Sequence, residues 1–501
     1  MKILPVGKIR EADAFTIENK PIASDELMER AATACYHWLR KRIDNKRRIL
    51  IFCGMGNNGG DGLVIARLMG QFNHNIEVFV VRHSERFSLD FNLNLNRLQD
   101  VSSLVIKDIY EDSLLPDIGP DDVVIDAIFG SGLTKPATGL AASVIHHINS
   151  SRALVVAIDF PSGLMSDVHT EEKLGPAIKA DFTLTFQVPK LSFMFAENDA
   201  YIGEWKVIDI GLDKEFLGSL QVKDHYILRE DVGPLVHSRT KFSHKGTYGH
   251  ALLIAGSYGK IGAAVMASRA CLRSGVGLLH THTPGTGMQI LQTAVPEAML
   301  SIDPDEHCFS KVPDLAMFSA IGTGPGIGFD DKTKRALKLL IQNTSLPLLF
   351  DADAITILGE NRTWIPFVPK NSVFTPHPKE FERLVGPTRD DFHRNQLQRE
   401  FCVKYGVYVV LKGAHTCTCT PDGTCYFNST GNPGMATGGS GDVLTGLILG
   451  LLAQRYSPRD ACILGVYLHG LAGDLAARKL GMEAMIAGDI VEFIGKAYKK
   501  F

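Results

Sequence analysis

The sequence predicts an α/β fold of two domains, an N-terminal Rossmann-like doubly wound sheet followed by a second α/β domain. Three observations predict it. The chain has 501 residues, which is long for a single domain. Apolar residues make up 45% and charged residues 21%, a composition that can fill large cores. Short apolar runs alternate with helical segments, a pattern typical of parallel strands covered on both faces.

The first series of elements begins with a helix, because residues 25–38 carry apolar side chains at helical spacing. A strand and a glycine-rich loop at 54–62 follow, and the chain then alternates between helix and strand. The predicted strands are 48–53, 76–81, 122–128, 154–158 and 182–186, and the predicted helix after the loop is 63–71.

The second series repeats this alternation after residues 209–222, a segment without strong periodicity that we interpret as the junction. We therefore expect domains at 1–215 and 222–501. The predicted strands are 251–255, 277–282, 317–321, 346–350 and 407–411, and the predicted helices are 263–274, the segment after Asp442, 459–480 and 488–498.

The charge and the cysteine content of the chain indicate which partners and which cellular compartment to expect. A net charge of −3 and a pI near 6.6 argue against bulk binding of nucleic acid, which needs a basic face. No signal peptide is evident, and the apolar run 443–453 is too short to span a bilayer. Nine scattered cysteines indicate a reducing compartment, hence the cytoplasm. Cys417, Cys419 and Cys425 lack metal-ligand spacing, so we expect buried or strand-borne thiols there.

The most informative segment is 432–446, where a glycine-rich loop runs into an apolar helix with Asp442 at the junction. Glycines let successive backbone N–H groups turn toward a ligand, and a helix start adds the positive end of its dipole. Together they predict an anion cradle. A carboxylate at its mouth would repel phosphate, so it is expected to handle a proton. The alternative is a capped helix after a flexible loop.

In the first domain, Gly54, Gly56 and Gly59 fit the dinucleotide-binding fingerprint. The ribose-binding acid expected after the next strand is absent, since Arg82 and His83 stand there. A hydride-transferring Rossmann domain is therefore disfavoured.

Polar side chains follow several predicted strands, and Asn58, Asp126, Asp159 and Ser162 can converge at the carboxyl edge of the sheet. Their oxygen atoms suit a hard cation, and the low formal charge favours potassium over calcium. Each acid could instead cap a helix or a turn.

Three segments, GNNGGDG at 56–62, DAIFGSGLTKP at 126–136 and DFPSGL at 159–164, resemble the NAD(P)H-hydrate epimerase domain. The resemblance implies that Asn58, Asp126 and Ser162 hold potassium and that Asp159 is the catalytic acid/base. It implies that hydrated nucleotide contacts Asn57, Asn58, Gly59, Gly60, Asp61, Gly130, Ser131, Gly132, Leu133, Thr134, Lys135, Pro136 and Asp159.

The second domain resembles the ribokinase-like fold. Its segments 248–278, FDADA at 350–354, TPHPKE at 375–380 and NPGMATGGSGDVL at 432–444 resemble ADP/ATP-dependent NAD(P)H-hydrate dehydratases. The resemblance implies that Asp442 is the catalytic base and that Gly324, His377 and Asp442 contact the hydrated nucleotide. ADP or ATP, with Mg²⁺, is expected to contact Lys412, Gly413, Ala414, His415, Thr416, Asn432, Gly434, Ala436, Thr437, Gly438, Gly439, Ser440 and Gly441.

The combined reading is a repair enzyme that epimerises hydrated NADH and NADPH and dehydrates the S form, with ADP favoured as co-substrate and a homo-oligomer expected. One alternative is a vitamin or sugar kinase carrying an N-terminal nucleotide-binding module, and another is a non-catalytic first domain.

Single residues also have simpler readings. His377 could shape a turn, Lys412 could be a solvated strand end, and Asp351 and Asp353 could cap a helix. His469 is expected to be a satisfied core histidine without a role.

Overall fold

The computed structural model describes residues 1–44, 46–72, 75–99, 104–167 and 175–501. These residues form two compact units. The first unit is Lys2–Val222, and the second is Lys223–Phe501 together with Met1. Across the described ranges, no helix combines the length and the apolar character that crossing a membrane requires.

The first unit is built on a sheet of seven parallel strands in the order β3-β2-β1-β4-β5-β6-β7. The strands are β1 (Arg48–Cys53), β2 (Asn75–Val81), β3 (Val105–Ile109), β4 (Val123–Ala127), β5 (Leu154–Ile158), β6 (Phe182–Phe186) and β7 (Glu204–Ile208). The order reverses between β1 and β4, so the loops after these two strands flank a crevice where ligands collect in such sheets.

Helices cover both faces of this sheet, as the sequence predicts. They are α1 (Val6–Asn19), α2 (Ser24–Leu39), α3 (Asn57–Gly70), α4 (Leu89–Gln99), α5 (Gly139–Ser150), α6 (Asp199–Ile202) and α7 (Lys214–Ser219). Ile49 and Ile51 of β1 share a core with α2 and α3, whereas Leu50 and Phe52 share one with α5. The alternation of side chains along each strand thus fills two cores at once.

The second unit has one sheet of ten strands in the order β11-β10-β9-β12-β13-β14-β15-β16-β17-β8. They are β8 (Asp224–Ile227), β9 (His250–Ile254), β10 (Leu278–Thr283), β11 (Met299–Ile302), β12 (Ala320–Thr323), β13 (Leu348–Phe350), β14 (Val373–Phe374), β15 (Tyr408–Leu411), β16 (Cys417–Cys419) and β17 (Cys425–Asn428). From β11 to β15 all neighbours are parallel, and β15, β16 and β17 pair antiparallel.

The antiparallel hairpin explains the cysteine cluster. Cys417, Cys419 and Cys425 lie on β16 and β17 and are buried, as expected for strand-borne thiols. In the part of the chain that the structure describes, no three histidine, cysteine or acidic side chains are grouped so as to hold a metal ion.

The helices of the second unit complete the α/β architecture expected from the sequence. They are α8 (Arg229–Val232), α9 (Ile261–Arg273), α10 (Met288–Ala294), α11 (Asp331–Asn343), α12 (Ala352–Glu360), α13 (Pro378–Val385), α14 (Asp391–Tyr405), α15 (Ser440–Ala453), α16 (Pro458–Leu480) and α17 (Ala487–Tyr498). Helix α15 packs closely on α9, since a β-carbon built on Gly446 would lie 2.0 Å from the carbonyl oxygen of Ala267.

Two helices begin earlier in the structure than the sequence predicts. Helix α3 begins at Asn57 rather than 63, and α15 begins at Ser440, so Asp442 lies inside its first turn. Most of the predicted glycine loop 54–62 is therefore helical, whereas most of the second glycine-rich loop precedes α15. Glycine lowers helix propensity, but packing against the sheet overrides that preference here. The segment 209–222 also contains α7, whose first turn is capped by Asp213.

We predict that Gly446→Ala destabilises the second unit by about 1–3 kcal/mol or more, because the added methyl group has no room beside Ala267. Gly495→Ala in α17 is the matched control, since nothing lies within 4 Å of a β-carbon there. That change should instead stabilise its helix by up to about 1 kcal/mol. Chemical denaturation of the two variants measures both effects, and equal stabilities would contradict the packing argument.

Candidate functional site

The crevice of the first unit is shaped by a close approach of backbone. A β-carbon on Gly54 would lie 2.0 Å from the carbonyl oxygen of Ile128, and one on Gly59 would lie 1.9 Å from that of Gly54. Only glycine fits at these two positions. The start of α3 is thereby held against the end of β4, with its unpaired N–H groups in the crevice.

Asp126 and Ser162 form a buried pair at the end of β4. Asp126 accepts hydrogen bonds from the hydroxyl (2.5 Å) and the backbone N–H (2.8 Å) of Ser162. Burial raises the pKa of Asp126 to about 6, although these hydrogen bonds oppose the shift. The buried amide oxygen and nitrogen of Asn58 have no hydrogen-bond partner in the described structure.

Asp159 follows β5 in the left-handed backbone region, with φ 59°. Its carboxylate accepts hydrogen bonds from the hydroxyl (2.8 Å) and N–H (3.2 Å) of Ser131. A β-carbon on Gly130 would lie 3.2 Å from Asp159 Oδ2 and 3.5 Å from Asn58 Cβ. The structure thus brings Asn58, Gly130, Ser131 and Asp159 together, as the sequence predicts.

Lys190 is a functional candidate that the sequence analysis missed. Its side chain is 1% exposed, and Nζ lies 3.1 Å from Asp159 Oδ1 and 2.9 Å from Thr185 Oγ1. Burial opposes ionisation of Asp159, but the Lys190 charge and the Ser131 hydrogen bonds outweigh it and lower the pKa of Asp159. The available signal was a lysine shortly after the predicted strand 182–186, at the same sheet edge.

Helix α1 supplies two more residues that were missed. A β-carbon on Gly132 would lie 2.6 Å from Arg10 Nη2, so this guanidinium packs on the predicted substrate loop. Burial raises the pKa of Asp13 to about 6; the Asp159 charge adds to the shift and Lys190 opposes it. Burial, followed by the charges of Asp159 and Asp13, also raises the pKa of Asp61 well above its usual value.

A cavity of about 400 Å³ lies in the crevice. Its lining includes residues that the sequence predicts and several that it did not, among them His83 and Arg86, which follow β2. The predicted lining residues are Asn57, Asn58, Gly130, Gly132 and Leu133. The predicted residues that do not line this cavity are Gly59, Gly60, Asp61, Ser131, Thr134, Lys135, Pro136 and Asp159; Thr134 and Lys135 are exposed.

In the second unit, Asp351 joins the ends of three neighbouring strands. It follows β13 and accepts hydrogen bonds from Thr375, after β14 (2.9 Å), and from Lys412, after β15 (2.9 Å). Thr445 of α15 donates a third hydrogen bond of 2.7 Å. Lys412 is therefore not a solvated strand end.

Asp442 faces this cluster from the first turn of α15. Burial raises the pKa of Asp442 to about 7; the Asp351 charge adds to the shift and Lys412 opposes it. A β-carbon on Gly441 would lie 3.3 Å from Lys412 Nζ, which places the ammonium beside the predicted anion cradle. A proton acceptor, a cation and unpaired helix N–H groups therefore share one site.

Helix α16 anchors the cradle at two points. His469 Nε2 donates a hydrogen bond to the carbonyl oxygen of Ser440 (3.0 Å), and burial lowers the pKa of His469 to about 4, so the ring is neutral. Asp474 accepts hydrogen bonds from Gly431 N–H (3.1 Å) and the Asn432 amide (2.9 Å). His469 is a satisfied buried histidine, as expected, but its contact with the loop was not anticipated.

The remaining predicted residues of the second unit lie around this cluster. A β-carbon on Gly324 would lie 1.9 Å from the Asp351 carbonyl oxygen, so Gly324 packs directly against the backbone of Asp351. His377 and Glu380 form a reciprocal cap of α13, so His377 does shape a turn, and its side chain is half exposed.

Neither aspartate of the FDADA segment caps α12. Asp351 makes no such bond, and Asp353 accepts hydrogen bonds from Lys260 Nζ (3.2 Å) and Gly328 N–H (2.9 Å). Asp351 occupies the N-cap position, but no side-chain capping bond forms there, so the alternative of a helix cap does not describe either side chain.

The segment 412–416 turns from β15 into β16. Thr416 Oγ1 donates to the Gly413 carbonyl oxygen (2.9 Å), and His415 Nδ1 lies 3.0 Å from the carbonyl oxygen of Asn428. Gly413 and Ala414 are exposed at the tip of this turn. Their backbone is thus open to a ligand, while Lys412 points toward Asp351.

Family models match both units. One described as NAD(P)H-hydrate dehydratase matches residues 251–496, and one described as YjeF-related protein N-terminus matches residues 24–192.

Two relatives resemble the chain along nearly its whole length, and a solved structure resembles about half of it. It is 35% identical over 510 residues to the bifunctional NAD(P)H-hydrate repair enzyme Nnr of Moorella thermoacetica, covering 99% of this chain and 96% of that one. It is 32% identical over 511 residues to that of Thermofilum pendens, covering 100% and 96%. A Bacillus subtilis ADP/ATP-dependent NAD(P)H-hydrate dehydratase, co-crystallised with ATP/Mg²⁺, is 31% identical with a TM-score of 0.50 and covers 55% of this chain and 98% of its own.

We predict that Lys190→Met destabilises the first unit by about 3–5 kcal/mol at neutral pH, because it leaves the buried Asp159 carboxylate without its cation. Lys190 lowers the pKa of Asp159, and the stability that this lowering provides is present above the unfolded-state pKa and lost as pH falls. Because burial raises the pKa of Asp159 once Lys190 is gone, the variant takes up a proton at higher pH than wild type, and the difference between the two should shrink as the buffer becomes acidic. Denaturation at several pH values tests this, and a pH-independent difference would contradict it.

Proposed function

The chain belongs to the family of bifunctional NAD(P)H-hydrate repair enzymes, and on this premise we propose how its two units divide the repair. Residues 1–215 exchange the R and S epimers of hydrated NADH and NADPH, and residues 222–501 dehydrate the S form at the expense of a nucleoside phosphate. The observation that carries the assignment is Asp442, a poised carboxyl group at a helix start beside Lys412.

The dehydration needs a better leaving group than hydroxide. Transfer of a phosphoryl group to the C6 hydroxyl supplies one, and the ring nitrogen then expels phosphate as the double bond forms. Asp442 would take the hydroxyl proton, while Lys412 and the backbone N–H groups of Gly438–Gly441 would stabilise the charge on the transferring oxygens. Gly324 and His377 would face the hydrated nucleotide on the other side of Asp351.

The nucleotide would lie along residues 412–416 and 432–441, where backbone and Lys412 favour an anion. Mg²⁺ commonly enters such sites on the phosphates with few protein ligands. That fits this site, since among the described residues no cluster of three acidic, histidine or cysteine side chains forms a cage. ADP as the preferred donor and a homo-oligomeric assembly stay predictions.

Epimer exchange requires proton movement at C6 of the hydrate, and Asp159 would provide an acid/base group there. Its lowered pKa keeps it ionised at neutral pH, which suits proton acceptance. The ligand would occupy the 400 Å³ cavity, whose lining includes Asn57, Asn58, Gly130, Gly132 and Leu133, and would reach Asp159 next to Gly130.

Potassium fits the residues at the end of β4. Asn58 has a buried amide oxygen without a partner, and the Asp126 carboxylate is buried with only neutral hydrogen-bond donors around it. Asn58, Asp126 and Ser162 would hold the ion, which would neutralise Asp126 and orient the adjacent loops toward substrate.

Incubation of mixed hydrated NADH epimers with ADP tests the division of labour. Asp442→Asn should slow dehydration by about 10²- to 10⁴-fold and leave epimer exchange intact. Asp159→Asn is the matched variant and should do the reverse. Because the base must be ionised, wild-type dehydration should rise with pH through about 7. The measurements are recovery of reduced nicotinamide absorbance, inorganic phosphate and the epimer ratio.

Two results would contradict this assignment. One is wild-type dehydration by Asp442→Asn in a folded sample. The other is a stable phosphorylated product, which would indicate a small-molecule kinase.

Replacing potassium by tetramethylammonium should slow epimer exchange and lower the melting temperature of the first unit, because an ion that binds only the native state stabilises it. Asp126→Asn should abolish both responses, since it removes the charged ligand. Calorimetry and epimer analysis in the two salts measure the effects. Identical rates and melting temperatures in both salts would rule out a potassium site.

A further inference from the structure

Helix α1 is fixed at the carboxyl edge of the first sheet. The N–H of Val6 donates a hydrogen bond to Asp167 (2.7 Å), and Ala12 and Thr16 are buried. Thr16 Oγ1 also accepts a hydrogen bond from the N–H of Asp213 (3.0 Å). A helix anchored at both ends presents its remaining face in a fixed position.

That face carries Arg10 and Asp13, which are three residues apart and therefore lie on one side of the helix. Arg10 contacts Gly132, so the same side faces the predicted substrate loop. The charged groups around Asp13 are Asp159, Lys190 and Asp61, together with Arg10 on its own helix. Among the described residues, the half-buried Asp13 carboxylate makes no hydrogen bond or ion pair.

We propose that Asp13 is a second catalytic residue of the epimerase site and works with Asp159 as an acid/base pair. The inference rests on the proposed epimerase function. Inversion at C6 requires that oxygen leave one face of the ring and return to the other. A single carboxyl group reaches one face, whereas two can serve both.

The step balances without an oxidant or reductant. The C6–O bond breaks with its electron pair on oxygen, which takes a proton from Asp13 and leaves as water, while the nitrogen lone pair forms a C6=N1 double bond. A second water adds to the other face and gives its proton to Asp159 as the electron pair returns to nitrogen. One proton has moved from Asp13 to Asp159, and the opposite protonation state serves the reverse reaction.

The electrostatics suit these roles. Burial keeps Asp13 protonated to higher pH, with a pKa of about 6, while Lys190 lowers the pKa of Asp159. Two neighbouring carboxyl groups whose pKa values are pushed apart form an acid and a base at one pH. Asp61 is more deeply buried within α3, so Asp13 is the carboxyl group more accessible to a ligand.

The test compares epimer exchange in wild type, Asp13→Asn, Asp13→Glu and Glu11→Gln. Asp13→Asn should lower kcat by about 100-fold with little change in KM. It should also remove the fall in wild-type rate as pH rises through about 6. Glu11 is exposed on the same helix and pairs with Lys8, so Glu11→Gln should match wild type. Dehydration of pure S epimer should be unchanged in all four proteins.

Stability separates a catalytic from a structural role. Because burial disfavours the ionised form of Asp13, Asp13→Asn should keep or raise the melting temperature of the first unit at neutral pH. If Asp13→Asn lowers the melting temperature, Asp13→Glu is used instead. The glutamate variant should recover epimer exchange, with a shifted pH profile. The proposal is overturned if Asp13→Asn keeps a third or more of the wild-type rate or keeps the wild-type pH profile. If Asp13→Asn is unstable, the proposal is overturned when Asp13→Glu exchanges epimers no faster than Asp13→Asn. A wild type that exchanges epimers no faster than buffer would instead refute the epimerase function itself.

Discussion

A carboxylate buried at the edge of an apolar sheet costs several kcal/mol unless a cation lies against it, and both units are organised around that constraint. Each places an aspartate directly after a central strand and a lysine after a strand further along the same sheet. The pairs are Asp159 with Lys190 and Asp351 with Lys412. Because each pair joins different strand ends, it fixes the edge around which the loops of the site are arranged.

One lysine cannot neutralise several carboxylates, so each site contains a further carboxyl group whose pKa is raised. In the first unit, Lys190 holds Asp159 ionised, while burial and the Asp159 charge raise the pKa of Asp13. In the second, Lys412 bonds to Asp351, and Asp442 is left with a pKa of about 7. In both sites the carboxyl group without its own cation has the raised pKa, which suits Asp13 to act as an acid and Asp442 to act as a base.

The sequence predicted the strands best where they are continuous and apolar. The segments 48–53, 154–158 and 182–186 match the structure residue for residue, because short runs rich in apolar and β-branched residues mark strands that are buried on both faces. Short or half-exposed strands such as β3 and β7 carry no such run and were missed. The proximity of Asp126 and Ser162 was anticipated, since both lie near the carboxyl ends of strands of one sheet. Lys190 and Asp13 were not anticipated, because Lys190 bonds to Asp159 across 31 residues of sequence and Asp13 acts on it only through charge, from a separate helix.

The two bonds from α16 to the glycine-rich segment have a consequence for ligand traffic. His469 and Asp474 fasten the two ends of residues 431–440 to one rigid rod. A segment held at both ends is already ordered before any ligand arrives. Ligand binding therefore costs little conformational entropy of this segment. Release of the product phosphate does not require the segment to open first.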